Sequence, residues 1–332
     1  MPTPTQSDLH VNAPLTNVSV AYIQNTKEYL ASKVFPKVPV NKQSDLYWKY
    51  SKSDWRRTQA ARRAPSTESA GVGWNVTTDN YFAHVYAVHK DIDDQLRANA
   101  DSNFRLDADS TKFITNQLLL KRDLDWTDRF FKTGVWATEY DGVSGTPGAG
   151  EFKQWNDSAS DPVNVMAQWI VDFRQLTGFA PNIMVLGAHV MQELKNHPLI
   201  LDRIKYTQKG IVTEDLIATL FDIPKIITSY ATVADGPQIN DAKAQDAAAT
   251  YSFITDSKSA AIYYAPDGPS LMTPSAGYTF TWNGYSAGNS EGIRVKSFRQ
   301  EHIASDRIEA EMTYDMKVVA PDMGIFLNNV VA

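Results

Sequence analysis

Residues 46–88 read LYWKYSKSDWRRTQAARRAPSTESAGVGWNVTTDNYFAHVYAV. The ends and the middle of this stretch follow different rules. Leu46 to Tyr50 is aromatic-rich, and Trp74 to Val88 is rich in β-branched and aromatic residues, so each reads as a strand. Between them the chain is polar, then basic, then rich in Pro, Gly and Ser, which reads as exposed loop. The second arm can return antiparallel to the first, giving a long two-armed excursion. Loops of this length inside a compact domain are usually functional or disordered.

The excursion also stands apart in charge. From Asp45 to Pro65 there are six basic residues, Lys49, Lys52, Arg56, Arg57, Arg62 and Arg63, against Asp45 and Asp54. The segment carries +4 and leaves −10 on the rest of a chain whose total is −6. Such a segment suits docking on an acidic neighbour of the same kind or on a polyanion. WRRTQAARR could bind single-stranded nucleic acid by charge and stacking. The matching negative charge on the body favours contact with a neighbouring subunit. Trp48 and Trp55 sit in or beside the loop with Tyr47 and Tyr50. Aromatics and arginine are the types enriched in protein–protein interfaces, and core packing is the alternative for the two tryptophans.

On the N-terminal side, residues 1 to about 20 are polar, contain Pro2, Pro4 and Pro14, and read as an extended arm. Val34-Phe35-Pro36 and Val38-Pro39-Val40 suggest an edge strand. On the C-terminal side a long helix follows, from about 107 to 132, with Asp107 or Asp109 as cap and Phe113, Ile114, Leu120, Leu124 and Phe131 at helical spacing. It stops before Gly134. Residues 141–162 form a Gly/Ser/Pro boundary. Next comes a helix with Val163, Met166, Ile170 and Phe173 on one face, then a buried strand at 183–186 and a short helix at 188–195. Thr213 caps a further helix, and strand-like runs follow at 225–233 and 251–265. From Gly292 onward strands dominate. No internal repeat is present.

The 332 residues give a prior of about two domains. Hydrophobic residues at 43% and charged residues at 21% exclude a disordered chain, a collagen and a coiled-coil rod. The absence of cysteine excludes disulfides, thiolate metal sites and a cysteine nucleophile. The N-terminus has no basic-then-apolar leader, and no apolar run is long enough to span a membrane.

Catalytic patterns are weak. His84, His89, Asp91, Asp93 and Asp94 are metal-ligand types, and His84, His89 and Asp91 would serve a metal-dependent hydrolase. His84 and His89 are five apart, however, so neither a helix nor a strand sets both on one face. GTPGAG at 145–150 lacks the Gly-Lys-Ser/Thr ending of a phosphate loop, and there is no HExxH and no Gly-x-Ser-x-Gly. His189, His197 and His302 lie far apart. These patterns predict no enzyme activity and no cofactor.

The order of parts is a polar arm, a long basic hairpin, a long helix, an α/β block and closing strands. Together with KSDWRRTQAARRAPSTESAGVGWNV (52–76), HKDIDDQLRANAD (89–101), LLLKRDLDWTDRFFKTGVW (118–136) and APNIMVLGAHVMQELKNHP (180–198), it resembles the major capsid proteins of tailed bacteriophages with the HK97 fold. The resemblance covers nearly the whole chain. It implies an α+β fold with an N-arm (1–44), an E-loop (45–90), a P domain (91–140 and 286–332, with the spine helix) and an A domain (160–285).

It further implies self-assembly through pentamers and hexamers into an icosahedral head enclosing double-stranded DNA without sequence-specific binding. The E-loop would lie over the adjacent subunit, with Trp48, Trp55, Arg56, Arg57, Arg62 and Arg63 as inter-subunit contacts. The place of action would be the virion, with assembly in the host cytoplasm, no membrane, and portal and decoration proteins as candidate partners. About 44 residues before the E-loop imply a separate scaffold protein or none. Some members join an E-loop lysine to a neighbour's asparagine. Lys49, Lys52, Asn328 and Asn329 are the matching types, and no motif links them. An encapsulin shell shares the same fold and is the nearest alternative.

Overall fold

A computed structural model describes residues 28–100, 105–205, 212–237, 241–269, 272–285 and 292–332. The arm expected over 1–44 lies outside the described residues as far as residue 27. From Tyr29 to Phe35 the chain is largely buried. It then forms β1 (Lys37–Val40), which adds in parallel to a sheet edge through Lys37↔Thr279 to Val40↔Trp282. Pro39 has no N–H to give a second neighbour, which suits an edge strand.

The hairpin pairs β2 (Ser44–Tyr50) with β3 (Val76–Phe82), from Ser44↔Phe82 to Tyr50↔Val76. A one-turn helix, α1 (Lys52–Trp55), follows the first arm. The expected return over 74–88 splits in two. The Asp315 carboxylate accepts the Phe82 N–H at 2.9 Å, and Ala83 is buried. Beyond this point β4 (His84–Asp93) enters a different sheet. The hairpin therefore closes at residue 82, and residues 84–90 belong to the body.

After the short helix α2 (Asp94–Asn99), capped by Asp93, comes α3 (Leu106–Phe130). The cap position is Arg105, not Asp107 or Asp109. Asp107 is the second residue of the helix and takes a bidentate pair from Arg97 at 2.8 and 3.0 Å, where its charge offsets the positive end of the helix dipole. Ile114, Leu118, Trp126 and Phe130 fall on multiples of four and are buried on one face. Leu120 and Leu124 turn the other way, against Tyr29, Ala231 and Ile254.

The α3 stripe lies on a five-stranded sheet centred on β14 (Ser305–Val318). One edge of β14 pairs with β4. The other is shared by β13 (Ile293–Gln300) and β12 (Gly277–Trp282), and β1 lies outside β12. A second, six-stranded sheet runs β6 (Glu151–Lys153), β5 (Thr138–Val143), β15 (Gly324–Asn328), β11 (Ala260–Tyr263), β7 (Ile183–Gly187) and β8 (Lys225–Ser229). β7 and β11 are buried along their whole length, as their unbroken apolar sequences require. The associated helices are α4 (Pro162–Thr177), α5 (Ala188–Asn196), α6 (Pro198–Ile204) and α7 (Glu214–Phe221). A ribbon of β9 (Thr232–Asp235) and β10 (Thr250–Phe253), joined through α8 (Ala242–Ala248), completes the block. The sheets cross the boundaries expected from sequence. β5, β6 and β15 join the block drawn at 160–285, and β12 leaves it for the first sheet.

α4 obeys its sequence. Val163, Met166, Ile170 and Phe173 are buried, Asp161 accepts the Asn164 N–H at 3.1 Å, and Gly178 ends the helix at φ +81°. Phe35, Trp126, Phe130, Trp136 and Tyr263 weld the two sheets through α3, with ring separations from 4.6 Å (Phe35–Phe130) to 6.4 Å. Gly324 is required here, because a Cβ on it would stand 2.1 Å from the Trp136 ring. Most buried apolar residues of both sheets form one continuous core, and Tyr278 and Phe280 of β12 form a separate cluster with Tyr81.

Candidate inter-subunit surface

The hairpin root is fixed. Tyr81 stacks on Phe280 at 4.6 Å and 10°, and Tyr47 meets the same ring at 5.5 Å. The Tyr47 hydroxyl donates to Asp79 at 3.0 Å, and burial beside that carboxylate pushes the phenol well up. Lys49 also lies 3.6 Å from Asp79. These residues occupy the face of β2 that turns toward the body.

The opposite face is bare. Strand alternation puts Leu46, Trp48 and Tyr50 on one side, and the register adds Val76. Leu46 is 63% exposed and Trp48 is 68% exposed. The strip continues through Trp55 (55%) and Trp74 (62%), with ring separations of 6.2 Å for Tyr50–Trp55 and 6.2 Å for Trp55–Trp74. Every residue from 55 to 78 is exposed. The strip is contiguous, aromatic and turned to solvent, the kind of patch that marks interaction sites in soluble proteins. Trp48 and Trp55 are thus surface residues in this chain.

The arginines divide. The Arg56 guanidinium donates to the carbonyls of Leu176 (2.6 Å) and Gln175 (3.0 Å) at the C-terminal end of α4, beside Gly178. The negative end of the helix dipole favours the cation there. Lys52, one helical turn away, pairs with Asp322. Arg56 was expected to meet another subunit, and here it is engaged within its own chain. Sequence spacing could not reveal this, since the acceptors are backbone carbonyls 119 and 120 residues away. Arg57 pairs with Asp54 at 3.2 Å and Arg63 donates to the Thr67 carbonyl, both within the loop. Arg62 is exposed.

The histidine and aspartate set near residue 90 is committed elsewhere. Asp91 accepts two bonds from Arg307 at 2.7 and 2.8 Å, which hold its carboxyl below the usual range. Asp94 accepts two from Arg299, and Asp93 caps α2. His84 and His89 stand at registers Tyr314 and Glu309 of β14, an odd number of residues apart and so on opposite faces. Among the described residues no group of three His, Cys, Asp or Glu side chains is placed to hold a metal ion. Asn328 and Asn329, the asparagine types noted in the sequence, both donate to Asp141 at 2.9 Å.

No family model matches the chain. A major capsid protein of Burkholderia phage BcepMu is 29% identical over 237 residues, covering 68% of this chain and 70% of the relative. A major capsid protein of Pseudomonas phage JBD67 is 24% identical over an alignment of 340 residues, covering 97% of each. Among solved structures, a phage-related protein of Bordetella bronchiseptica RB50 aligns with a TM-score of 0.67 at 18% identity, over 92% of this chain and 93% of that one. The capsid of cyanophage P-SCSP1u aligns at 0.61 with 10% identity, over 98% of both. The SrpI encapsulin of Synechococcus elongatus PCC 7942 aligns at 0.56 with 9% identity, over 97% and 94%.

Proposed function

We propose that this homologue of the phage major capsid proteins, built on the HK97-type capsid fold, is itself the structural subunit that self-assembles into the icosahedral shell of a phage head. The observation that carries the reading is the bare aromatic strip on a hairpin rooted in a fold shared with capsid chains along nearly its whole length. An isolated subunit leaves Leu46, Trp48, Trp55 and Trp74 in water, and a neighbouring copy removes them from it.

In this reading the hairpin of residues 44–82 is the E-loop, and α3 is the spine of a P domain built on the five-stranded sheet. The six-stranded sheet with its helices is the A domain. Contacts between an E-loop and the next subunit are heterologous, so they close rings, here pentamers and hexamers. Trp48, Trp55, Arg56, Arg57, Arg62 and Arg63 are the contacts to the adjacent copy. Double-stranded DNA is enclosed rather than read, since the chain as a whole carries −6. Assembly takes place in the host cytoplasm, with scaffold, portal and decoration proteins as further partners. The encapsulin reading shares the fold, but both sequence relatives named above are phage proteins.

Size-exclusion chromatography with electron microscopy of the purified chain tests the proposal. Shells or ring-shaped capsomers are expected. A small monomer at every concentration overturns it, and shells that hold a protein cargo and exclude DNA in infected cells move the reading to an encapsulin.

A further inference from the structure

Two ion-mediated contacts tie the hairpin to its own body, and they share a location. Arg56 sits on the carbonyls of Gln175 and Leu176, and Lys52 sits on Asp322. The acceptors form one small receptor at the end of α4 and the turn before β15. Its ligand is the single turn of α1 with the residue after it. Three features set this contact apart from ordinary packing. Lys52 and Arg56 are exposed, so no apolar core has to open for them to leave. The loop beyond them bonds to itself through Arg57–Asp54 and Arg63–Thr67. The folded-back position also leaves the aromatic strip uncovered, so it satisfies the cations of the segment and not its tryptophans.

We propose that the receptor formed by Gln175, Leu176 and Asp322 is an exchangeable seat, filled by the chain's own Lys52 and Arg56 in the free subunit and by those of a second copy in the assembled shell. The proposal rests on the capsid reading above and deepens it by naming where the hairpin lands. Exchange of an identical element between copies is a low-cost route to assembly, because each bond broken within a chain is remade between chains. The gain then comes from what the folded-back form lacks, which is cover for Leu46, Trp48, Trp55 and Trp74. The root holds in both states, since Tyr81 and Tyr47 stay on Phe280. The bend lies between the root and α1, where Trp48, Tyr50 and residues 76–78 are exposed.

The Lys52–Asp322 pair supplies its own probe, because a carbodiimide joins a touching amine and carboxylate without a spacer. Equal amounts of unlabelled and nitrogen-15-labelled chain are mixed, crosslinked either as free subunits or after assembly, and digested. Mass spectrometry then reads the peptide pair containing residues 52 and 322. Free subunits are expected to give pairs of one isotope only, and shells to give mixed-isotope pairs in about half of the crosslinks, the proportion for random exchange between copies. Single-isotope pairs in both samples overturn the exchange and leave the capsid reading standing. A chain that stays monomeric, giving only single-isotope pairs, overturns the capsid reading and the second occupant with it. Loss of the pair in Asp322→Asn, with assembly measured in parallel, identifies the crosslink: exchange predicts weaker shells for this variant, and unchanged shells count against the seat.

Discussion

Tyr263 donates its hydroxyl to the carbonyl of Phe130, the last residue of α3, at 2.9 Å. The indole of Trp136 donates to the same oxygen at 2.8 Å. The helix has no N–H of its own to offer, because Gly134, four residues on, gives its N–H to Glu139. Two side chains, one from the central strand β11 and one from the turn after the helix, thus cap α3 and bind it to the second sheet. Tyr263→Phe leaves Trp136 in place and is expected to cost about 1 kcal/mol in chemical denaturation. Trp136→Phe should cost more, since it also removes ring area from the junction. The double variant strands a buried carbonyl, and its cost should exceed the sum of the singles by about 1–2 kcal/mol. Strict additivity would mean that water reaches the helix end.

Asp123 offers a pH-dependent test. It is buried in α3 and accepts the N–H groups of Leu30 and Ala31 at 2.7 and 2.8 Å, pinning the incoming segment to the helix. Burial outweighs these bonds and the attraction of Arg122 and Lys33, and pushes the carboxyl up to about 6 from an ordinary 3.8. The folded state therefore binds this proton more tightly than the unfolded state. Its contribution to stability is fully present below about pH 4 and is lost as pH rises through about 6. Two pH units correspond to about 3 kcal/mol as an order of magnitude. Asp123→Asn keeps an acceptor for both N–H groups and removes the titration. The difference in stability between native chain and variant should change across this window and be flat above it. A difference independent of pH would show the carboxyl to be unperturbed. Asp123→Ala, which removes the acceptor, should destabilise at every pH.

Much of this architecture is legible before any coordinates, and the boundary of legibility has a physical cause. Periodicity revealed α3 and α4, because a helix that buries one face must repeat every three or four residues, and Met166, Ile170 and Phe173 do. Alternation and aromatic content revealed β2 and β3. The short strands β5, β6 and β12 are not legible, since three to six residues carry too little pattern, and β5 runs into the glycine-rich stretch. The role of Gly324 depends on where Trp136 falls in space, and that of Arg56 on carbonyls, which every residue has. The aromatic content of residues 46–50 is legible, but which of them share a face, and that this face is bare, comes from the register and the fold.

The two faces of α3 separate by substitution. Leu118 is buried in the main core, whereas Leu120 is half-buried against the small cluster of Tyr29, Ala231 and Ile254. Leu118→Ala should cost about 2–5 kcal/mol. Leu120→Ala should cost distinctly less, because part of its surface is already in water. Leu118→Asp, which buries an unpaired charge, should prevent recovery of folded chain. Equal losses for the two alanine variants in thermal or denaturant melts would contradict this division of the helix.

The last prediction separates folding from assembly at Trp48. Its side chain is 68% exposed and lies on the face of β2 away from Phe280 and Asp79. Among the described residues its side chain makes no hydrogen bond or ring contact, so Trp48→Asp should leave stability within about 0.5 kcal/mol of the native chain. If, as proposed, a neighbour covers this position in a shell, a carboxylate there is buried without a partner, which costs several kcal/mol at every repeated contact as an order of magnitude. Assembly should fall away while the subunit keeps its melting temperature and its circular dichroism. Lys49→Ala is the control one residue along: it faces the body, pairs with Asp79 and should change assembly little. Trp48→Asp chains that form shells at native concentration would remove the aromatic strip from the interface. Chains that lose both stability and assembly would show that Trp48 packs within the subunit. Loss of assembly alone, with Lys49→Ala unaffected, places the contact between subunits on the outward face of β2.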